Sequence, residues 1–583
     1  MKTATLLTIG IIFIQSLVIG QNTNSTTTNS VQTPSEYNRN ALTVLVLETN
    51  NKYGNDLKAA SGNVTISGKF DDNTIETANI YAAPNMQSIQ QELSKKQVAH
   101  QIISKWFLRD TSSGKFNMTI IHHRGMYNAT DDEIRKASAS KIGLAALKDA
   151  GESLINRSYI MVLEFYGIET MRQVYNKREI KKKAAAEIMN KNYEPVRRTK
   201  NGWVGNVRGY LYKLNFNDSV MSVFYNDLWI YDDDDEETKK AKKAKFNEVE
   251  FPIEFITQVS GSADGTQYNA HHPMAPPVQL TRNQLFQKMI NTGLNSCIYK
   301  TEKVLESFQV KAPVYKIKPI SSKVGKKEGL KTDQRYFVME FYQNSKGETV
   351  SKRKAVVRVK KAFDNRKVAT GNSTDFTSFY QTAGQRVDAG MQLHQKNDLG
   401  TGISGGVSFG EIAGGWAKLE QNVALLMPGN ADIGITQLKI FGAIGYENKT
   451  YDVLNQGKNY DLTFLRWHAG ISKGFYFARY FSLAPFVAYG SETGSNTQMN
   501  ADFGWNSNDF IGADFFNYGI NGSVNILHFL QVYASLNMYT FFGYTYSKQR
   551  NPWDLGIYNG KNYTDFFNNR KGMSIDVGAR IEF

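Results

Sequence analysis

Eight charged or titratable residues in the last third of the chain fall on one side of an alternating pattern. They are Lys418, Glu420, Lys439, Arg466, His468, Asp576, Arg580 and Glu582. Within 463–471, Thr463, Leu465, Trp467, Ala469 and Ile471 share one face of an extended chain. Phe464, Arg466, His468 and Gly470 share the other. The closing stretch "GMSIDVGARIEF" divides the same way, with Met573, Ile575, Val577, Ala579, Ile581 and Phe583 opposite Ser574, Asp576, Gly578, Arg580 and Glu582. A period of two belongs to strands. Charges of both signs on one enclosed face either pair or line a narrow ion path. Burying them singly is costly, so pairing is the expectation.

Other chemistry is thin. The pairs His122–His123 and His271–His272 are adjacent in sequence, so on a strand their rings point apart and chelate poorly. No Cys or spaced carboxylate completes a metal site, and neither metal nor cofactor is expected. The chain has no GxSxG, HExxH or P-loop. Its long C-terminal loops offer Asp502, Asp509, Asp514 and Asp554 without a His. No enzyme is expected. The block "DDDDEETKKAKKAK" (232–245) lacks the spacing of a calcium loop and reads as a solvated helix, acidic at its start and basic at its end. The one cysteine, Cys297, excludes an internal disulfide and reads as a small buried hydrophobe.

The elements that must position the charged face are strands. Candidates lie at about 401–410, 416–427, 434–447, 463–471, 481–489, 516–526, 530–546 and the terminal stretch. Pro485 removes a ladder donor and predicts a bulge or local break. Strands of this length cross a bilayer when tilted. Their apolar faces end in aromatics, among them Tyr489, Tyr544, Tyr546 and Phe583, where interfacial girdles sit. "PGNAD", "GFYFAR" and "ILHF" are short connections. "ENKTYDVLNQGKN", "SETGSNTQMNADFGWNSNDFIGAD" and "SKQRNPWDLGIYNGKNYTDFFNNRKG" are long ones, and "EIAGG" is a short exception on their side. The pattern predicts an all-β transmembrane antiparallel eight-stranded barrel whose interior side chains fill it.

Ahead of the barrel the texture is α+β. Residues 1–20 read as a signal peptide, with Lys2 before the apolar run "LLTIGIIFIQSLVIG". Residues 21–40 read as a disordered polar segment, 41–230 as a first α/β unit, 247–362 as a second and 363–399 as a linker, with the barrel at 400–583. A helix is expected across 87–108, a second from the capping box of Thr130 and Glu133, a hairpin around Asn217 and Asp218, and a helix from Thr281 and Gln284 to about 308. "VLEFY" (162–166) and "VMEFY" (338–342) suggest tandem units.

On these residues, 400–583 resembles the eight-stranded bacterial outer-membrane barrels. The closing strand resembles their C-terminal assembly signal, which ends in Phe. The resemblance implies that barrel-assembly machinery reads Ile575, Val577, Ala579, Ile581 and Phe583; Ile581 stands where the family prefers an aromatic. The signal peptide and the Asn/Lys/Tyr-rich composition resemble Bacteroidota proteins. "KWFLRD" and "DAGESLINRSYIMVLEF" are similar to segments of uncharacterised exported proteins of that phylum. The domain order reverses that of OmpA-type proteins. The implied location is the cell outer membrane, with the N-terminal region in the periplasm. The expected partners are outer-membrane lipid and a periplasmic envelope protein or peptidoglycan; export excludes nucleic acid. The expected function is a non-enzymatic anchor carrying a periplasmic binding region. The alternative is surface recognition or adhesion through the long loops, with Trp505, Trp553, Tyr558, Phe566 and Phe567 as the aromatic surface. An envelope-modifying enzyme and a small pore follow behind.

Overall fold

The structure, a computed structural model, describes residues 40–48, 52–120, 155–189, 192–343, 345, 349–366, 375–427, 432–453, 457–477, 479–546, 549–550, 563, 567, 570 and 572–583. The signal peptide, the polar segment to residue 39, the helix expected from Thr130 and the pair His122–His123 lie outside them.

The N-terminal unit is a mixed sheet between two helical layers. Its strands are β1 (Ala41–Leu47), β2 (Asp71–Asp72), β3 (Asn79–Ile80), β4 (Ser158–Thr170), β5 (Lys200–Leu214) and β6 (Ile253–Tyr268). β2, β3 and β4 pair parallel to β1, and β4, β5 and β6 run antiparallel in turn. Ser158 to Phe165 are buried without interruption, as a central strand covered on both faces requires. One face packs Ile160 and Val162 against helices α2 (Met86–Lys95) and α3 (Val98–Trp106). The other packs Met161, Leu163 and Phe165 against α1 (Gly54–Ser61) and α7 (Arg282–Val304). In chain order α4 (Met171–Ile188), α5 (Asp218–Val223) and α6 (Glu236–Glu248) come between α3 and α7. Gly265 lets α7 lie close on β6, because a Cβ there would stand 2.3 Å from the Leu285 carbonyl oxygen.

Several local expectations change here. The helix across 87–108 is two helices, broken at Gln97, whose φ of 49° is left-handed. The expected hairpin is absent: Asn217 instead caps α5 by accepting from the Val220 N–H, and a π-turn over Phe224–Leu228 comes next. The capping box of Thr281 and Gln284 does open α7, and Cys297 is buried on it. The acidic–basic block forms α6, capped by Asp235.

The unit boundary expected at 247 is crossed by the first unit, since β6 completes its sheet and α7 packs on that sheet. The region after α7 and before the barrel is all-β: β7 (Lys311–Pro313), β8 (Lys316–Ile317), β9 (Ile320–Ser322), β10 (Arg335–Gln343), β11 (Thr349–Lys361), β12 (Thr377–Gly384) and β13 (Gln392–Gln395). They form a seven-stranded antiparallel sheet in the order β7-β13-β10-β11-β12-β9-β8. The segment expected as a linker therefore supplies two strands. Its apolar positions are few because each strand buries only alternate residues, Phe379 and Leu393 among them. The two "EFY" stretches lie in unlike settings, one in β4 with a parallel neighbour and one in the antiparallel strand β10, so they mark no repeat.

The C-terminal region is a closed antiparallel barrel of eight strands: β14 (Thr401–Gly410), β15 (Gly414–Asn422), β16 (Leu438–Asp452), β17 (Asn459–Lys473), β19 (Phe481–Ser495), β20 (Ile511–Asn525), β21 (Leu530–Tyr546) and β23 (Met573–Glu582). Neighbours in sequence pair around the ring, and β14 closes on β23 with Ile403 opposite Ile581. The short strands β18 (Phe475–Phe477) and β22 (Gln549–Arg550) add to its rims. At Pro485 the expected break occurs on one side. Pairing with β17 ends at Phe486 and resumes on β18 at Leu483, while Pro485 stays in register with Ile520 on β20.

Candidate functional site in the barrel lumen and its cap

Both chain ends of the barrel, Thr401 and Phe583, lie at one rim, called proximal here. The connections 411–413, 453–458, 496–510 and 547–572 lie at the distal rim, and the proximal connection from β15 to β16, expected to be short, covers 423–437 with a helical turn at Val423–Leu426. Five of the eight strands have 15 residues or more. About 9–11 suffice to cross a bilayer, so these strands run on past the belt at the distal end. The connection between β16 and β17 is thereby reduced to residues 453–458.

Outward positions carry an apolar belt. Ile403, Val407, Leu419, Ile440, Ile444, Leu465, Ile471, Val487, Val532, Leu536, Ile575 and Val577 are exposed. Exposed aromatics border it, with Phe475, Phe477, Tyr480, Phe529 and Phe583 at the proximal rim and Tyr446, Tyr489 and Phe516 toward the distal one. Ala579 is also outward and exposed, and Ile581 is half-buried. Tyr544 departs from the expected face. A bulge opposite Gly512–Asp514, with Gly543 at φ 60°, turns Tyr544 inward, where it stacks on Tyr563 with centroids 5.8 Å apart. The side chain of Tyr546 lies outside the described residues.

Inward positions are polar. Six of the eight residues read from the sequence are buried, Lys418, Glu420, Lys439, Arg466, Arg580 and Glu582, while His468 and Asp576 are half-buried. Near the proximal rim, Glu420 lies 3.4 Å from Lys418 and 2.7 Å from Arg580 Nε, the latter an ion pair outside hydrogen-bond angles. Arg580 donates to Gln531 at 2.9 Å, and Gln531 donates to Glu582 at 3.0 Å. Lys439 lies within electrostatic reach of Glu420 and Glu582. Midway, Ser408 donates to Asp576 at 2.6 Å, and Lys418 donates to the Tyr533 hydroxyl at 3.1 Å and lies 4.1 Å above the Phe441 ring. His468 and Trp416 border a cavity of about 20 Å³. Among the described residues, His468 Nδ1 and Trp416 Nε1 have no hydrogen-bond partner, so the cavity matches one water in size and polarity.

Two further clusters escaped the sequence reading. At the distal end Arg570 is fully buried. It holds Glu447 at 2.7 Å and Glu492 at 2.6 Å, and its Nη1 also donates to the Tyr451 hydroxyl. Arg466 reaches Glu447 at 2.9 Å, and Tyr563 donates to Glu492 at 2.6 Å. Glu447 and Glu492 share the inward parity of Lys439 and Ser482, so extending the alternation past the expected strand ends would have found them. Arg570 comes from a loop and has no such signal. With these three, the lumen groups named here are five cations and five carboxylates. An apolar cluster including Ile412, Tyr451, Phe464, Met499, Phe515, Phe541 and Phe567 seals the same end.

At the proximal end the seven-stranded sheet caps the mouth. Arg358 of β11 reaches Glu582 at 2.8 Å and Asp398 at 2.5 Å, and Arg335 holds Asp398 at 2.8 Å. Asp333, left-handed at φ 67°, accepts from the Tyr380 hydroxyl, the Asn422 side chain and the Gln437 N–H. Asn525 donates to the Thr382 carbonyl at 2.5 Å.

Other candidate residues are not brought together. His271 and His272 lie in the loop after β6, where His272 stacks on Tyr268. Among the described residues no group of three His, Cys, Asp or Glu side chains is placed to hold a metal. Of the aromatic surface expected in the distal loops, Phe567 is fully buried and Trp505 packs against the distal cluster. Trp553, Tyr558 and Phe566 lie outside the described residues.

No family model and no curated protein matches this chain. Among solved structures it is similar to a major outer membrane protein from Thermus thermophilus, at 14% identity over 31% of this chain and 98% of that one, with a TM-score of 0.21. It is also similar to Ail, the attachment invasion locus protein of Yersinia pestis, at 12% identity over 31% of this chain and 95% of that one, with a TM-score of 0.17. Neisserial surface protein A matches at 8% identity over 31% of this chain and 94% of that one, with a TM-score of 0.19. None of these likenesses bears on activity.

Proposed function

We propose that the protein is a non-enzymatic outer-membrane anchor whose barrel is closed and whose soluble region binds a partner in the periplasm. The observation that carries this reading is the lumen. Paired charges fill it, Arg570 and its carboxylates close the distal end, and a whole sheet caps the proximal end. A barrel so filled holds the protein in place and leaves recognition to the rest of the chain. The apolar belt and its aromatic borders suit a bilayer. Short turns face the periplasm in outer-membrane barrels; two of the three proximal connections, 474–480 and 526–529, are short, and the soluble region joins that rim, where both barrel termini lie. Ile575, Val577, Ala579, Ile581 and Phe583 serve as the assembly signal in this reading. The burial of Phe567 and the packing of Trp505 speak against adhesion through those rings.

Protease shaving of intact cells tests the topology. Residues 41–399 should resist until the outer membrane is permeabilised; cleavage there in intact cells overturns the reading.

A further inference from the structure

The N-terminal unit has two poles. At one, Tyr159 and Asn40 hydrogen-bond Ser307, just before the capping sheet. At the other, Lys200 pairs with Tyr268 and α4 begins after Thr170. Helix α7 runs between the poles; its 23 residues span about 35 Å at 1.5 Å each. The second pole is therefore the part of this unit that lies far from the barrel.

That pole concentrates charge. Residues 171–200 hold ten Lys or Arg against three Glu, a net of +7 in a chain whose total is +15. Helix α4 is anchored by its capping box and by buried Met171 and Tyr175, and past Tyr175 it has no buried residue. Lys181, Lys182 and Lys183 are consecutive, so at 100° per residue they spread over about 200° of the helix circumference. Large apolar side chains are exposed at this pole: Ile180, Ile188 and Met189 on and after α4, and Met274 and Val278 in the loop after β6, with Ile188 at 86% and Val278 at 78%. A helix of 18 residues buried only at its first turns gains little from packing.

We propose that the projecting half of α4 docks in the acidic, apolar-floored groove of a protein partner, a helix-in-groove interaction. The cations select carboxylates at the groove rim, and Ile180 and Ile188 supply the apolar anchors. The exposed apolar side chains favour a protein over a glycan, which does not bury Ile or Val; a bilayer interface can bury them, and the vesicle arm of the test below separates it from a protein. The proposal rests on the reading that the soluble region binds a periplasmic partner, and it locates that contact.

The test uses the full chain in its own cells, with a photo-crosslinking amino acid placed singly at Ile188, Val278, Tyr81 and Tyr299; the last two are exposed residues away from α4. Crosslinks at Ile188 and Val278 to one protein of one mass, abolished by K181E/K182E/K183E in a chain that still folds, are expected. Purified peptidoglycan sacculi and phosphatidylglycerol vesicles should not retain the detergent-solubilised chain at about 0.15 M salt. Retention by either through the same lysines overturns the proposal, as does a lack of crosslinks at both α4-side positions. Crosslinks at Tyr81 or Tyr299 alone overturn the role of α4 but leave a protein-binding soluble region standing; no crosslink at any position counts against both.

Discussion

Arg358, on a strand outside the barrel, lies 2.8 Å from Glu582, the penultimate residue of the chain, on the strand that closes the barrel. Both side chains are buried, at 2% and 7% exposure. The pair joins the cap to the barrel seam, and Asp398 satisfies the other side of the guanidinium at 2.5 Å.

Removing one partner leaves an uncompensated buried charge, which costs about 3–5 kcal/mol. Arg358→Met should therefore lower the temperature at which the folded chain loses its unheated electrophoretic mobility. R358M/E582Q should recover part of the loss, because it removes the stranded carboxylate. Equal melting of Arg358→Met and the parent chain would refute the coupling of cap and barrel.

The distal latch makes a second prediction. Arg570→Met leaves Glu447 and Glu492 with only Arg466 as a paired cation among the described residues, at 2.9 and 3.8 Å. The variant should become sensitive to external protease in its distal loops while the parent resists. The parent chain in planar bilayers should pass no steady single-channel current; steady currents through it would show the lumen open.

Cys297 offers a probe of the soluble unit. Burial pushes its thiol up to about 12, and the thiolate is the reactive form. At about pH 8 the reactive fraction is on the order of one in ten thousand. A thiol reagent should leave the folded chain untouched and react fully in guanidinium. Rapid labelling of the folded chain would contradict the burial of α7 against β5 and β6.

The capping sheet should weaken in acid. His394 is pushed down to about 4, first by burial and then by Lys311, and its Nε2 lies 2.6 Å from Gln392 Oε1. The unfolded chain binds a proton near pH 6.5 that the folded chain refuses until about pH 4. Stability thus falls as pH drops through that window, by up to about 1.4 kcal/mol per unit for this one group. His394→Gln should flatten the slope between those pH values in denaturant melts, and an unchanged slope would assign it to other groups.

Much of the barrel was legible because a strand's period is two and one face meets an apolar surround. Leu465, Trp467 and Ile471 outward, with Phe464 and Arg466 inward, accord with that alternation. Strand ends were less legible. Beyond the belt the outward positions turn polar, as at Asn448 and Thr450, so the pattern fades although pairing continues. Arg570 sits in a loop without period, and only the fold brings it between Glu447 and Glu492.

The sequence by itself determined the local terms: which residues alternate, where Thr281 caps a helix, and that charges of both signs share the inner face. Tertiary structure decided what depends on distant pairing. It placed β6 in the first sheet with α7 packed on it, built two strands of the cap from polar residues that read as a linker, turned Tyr544 inward at a bulge, and set Arg358 against Glu582. Ladder bonds and buried ion pairs join residues hundreds of positions apart, and no local pattern encodes which of them will meet.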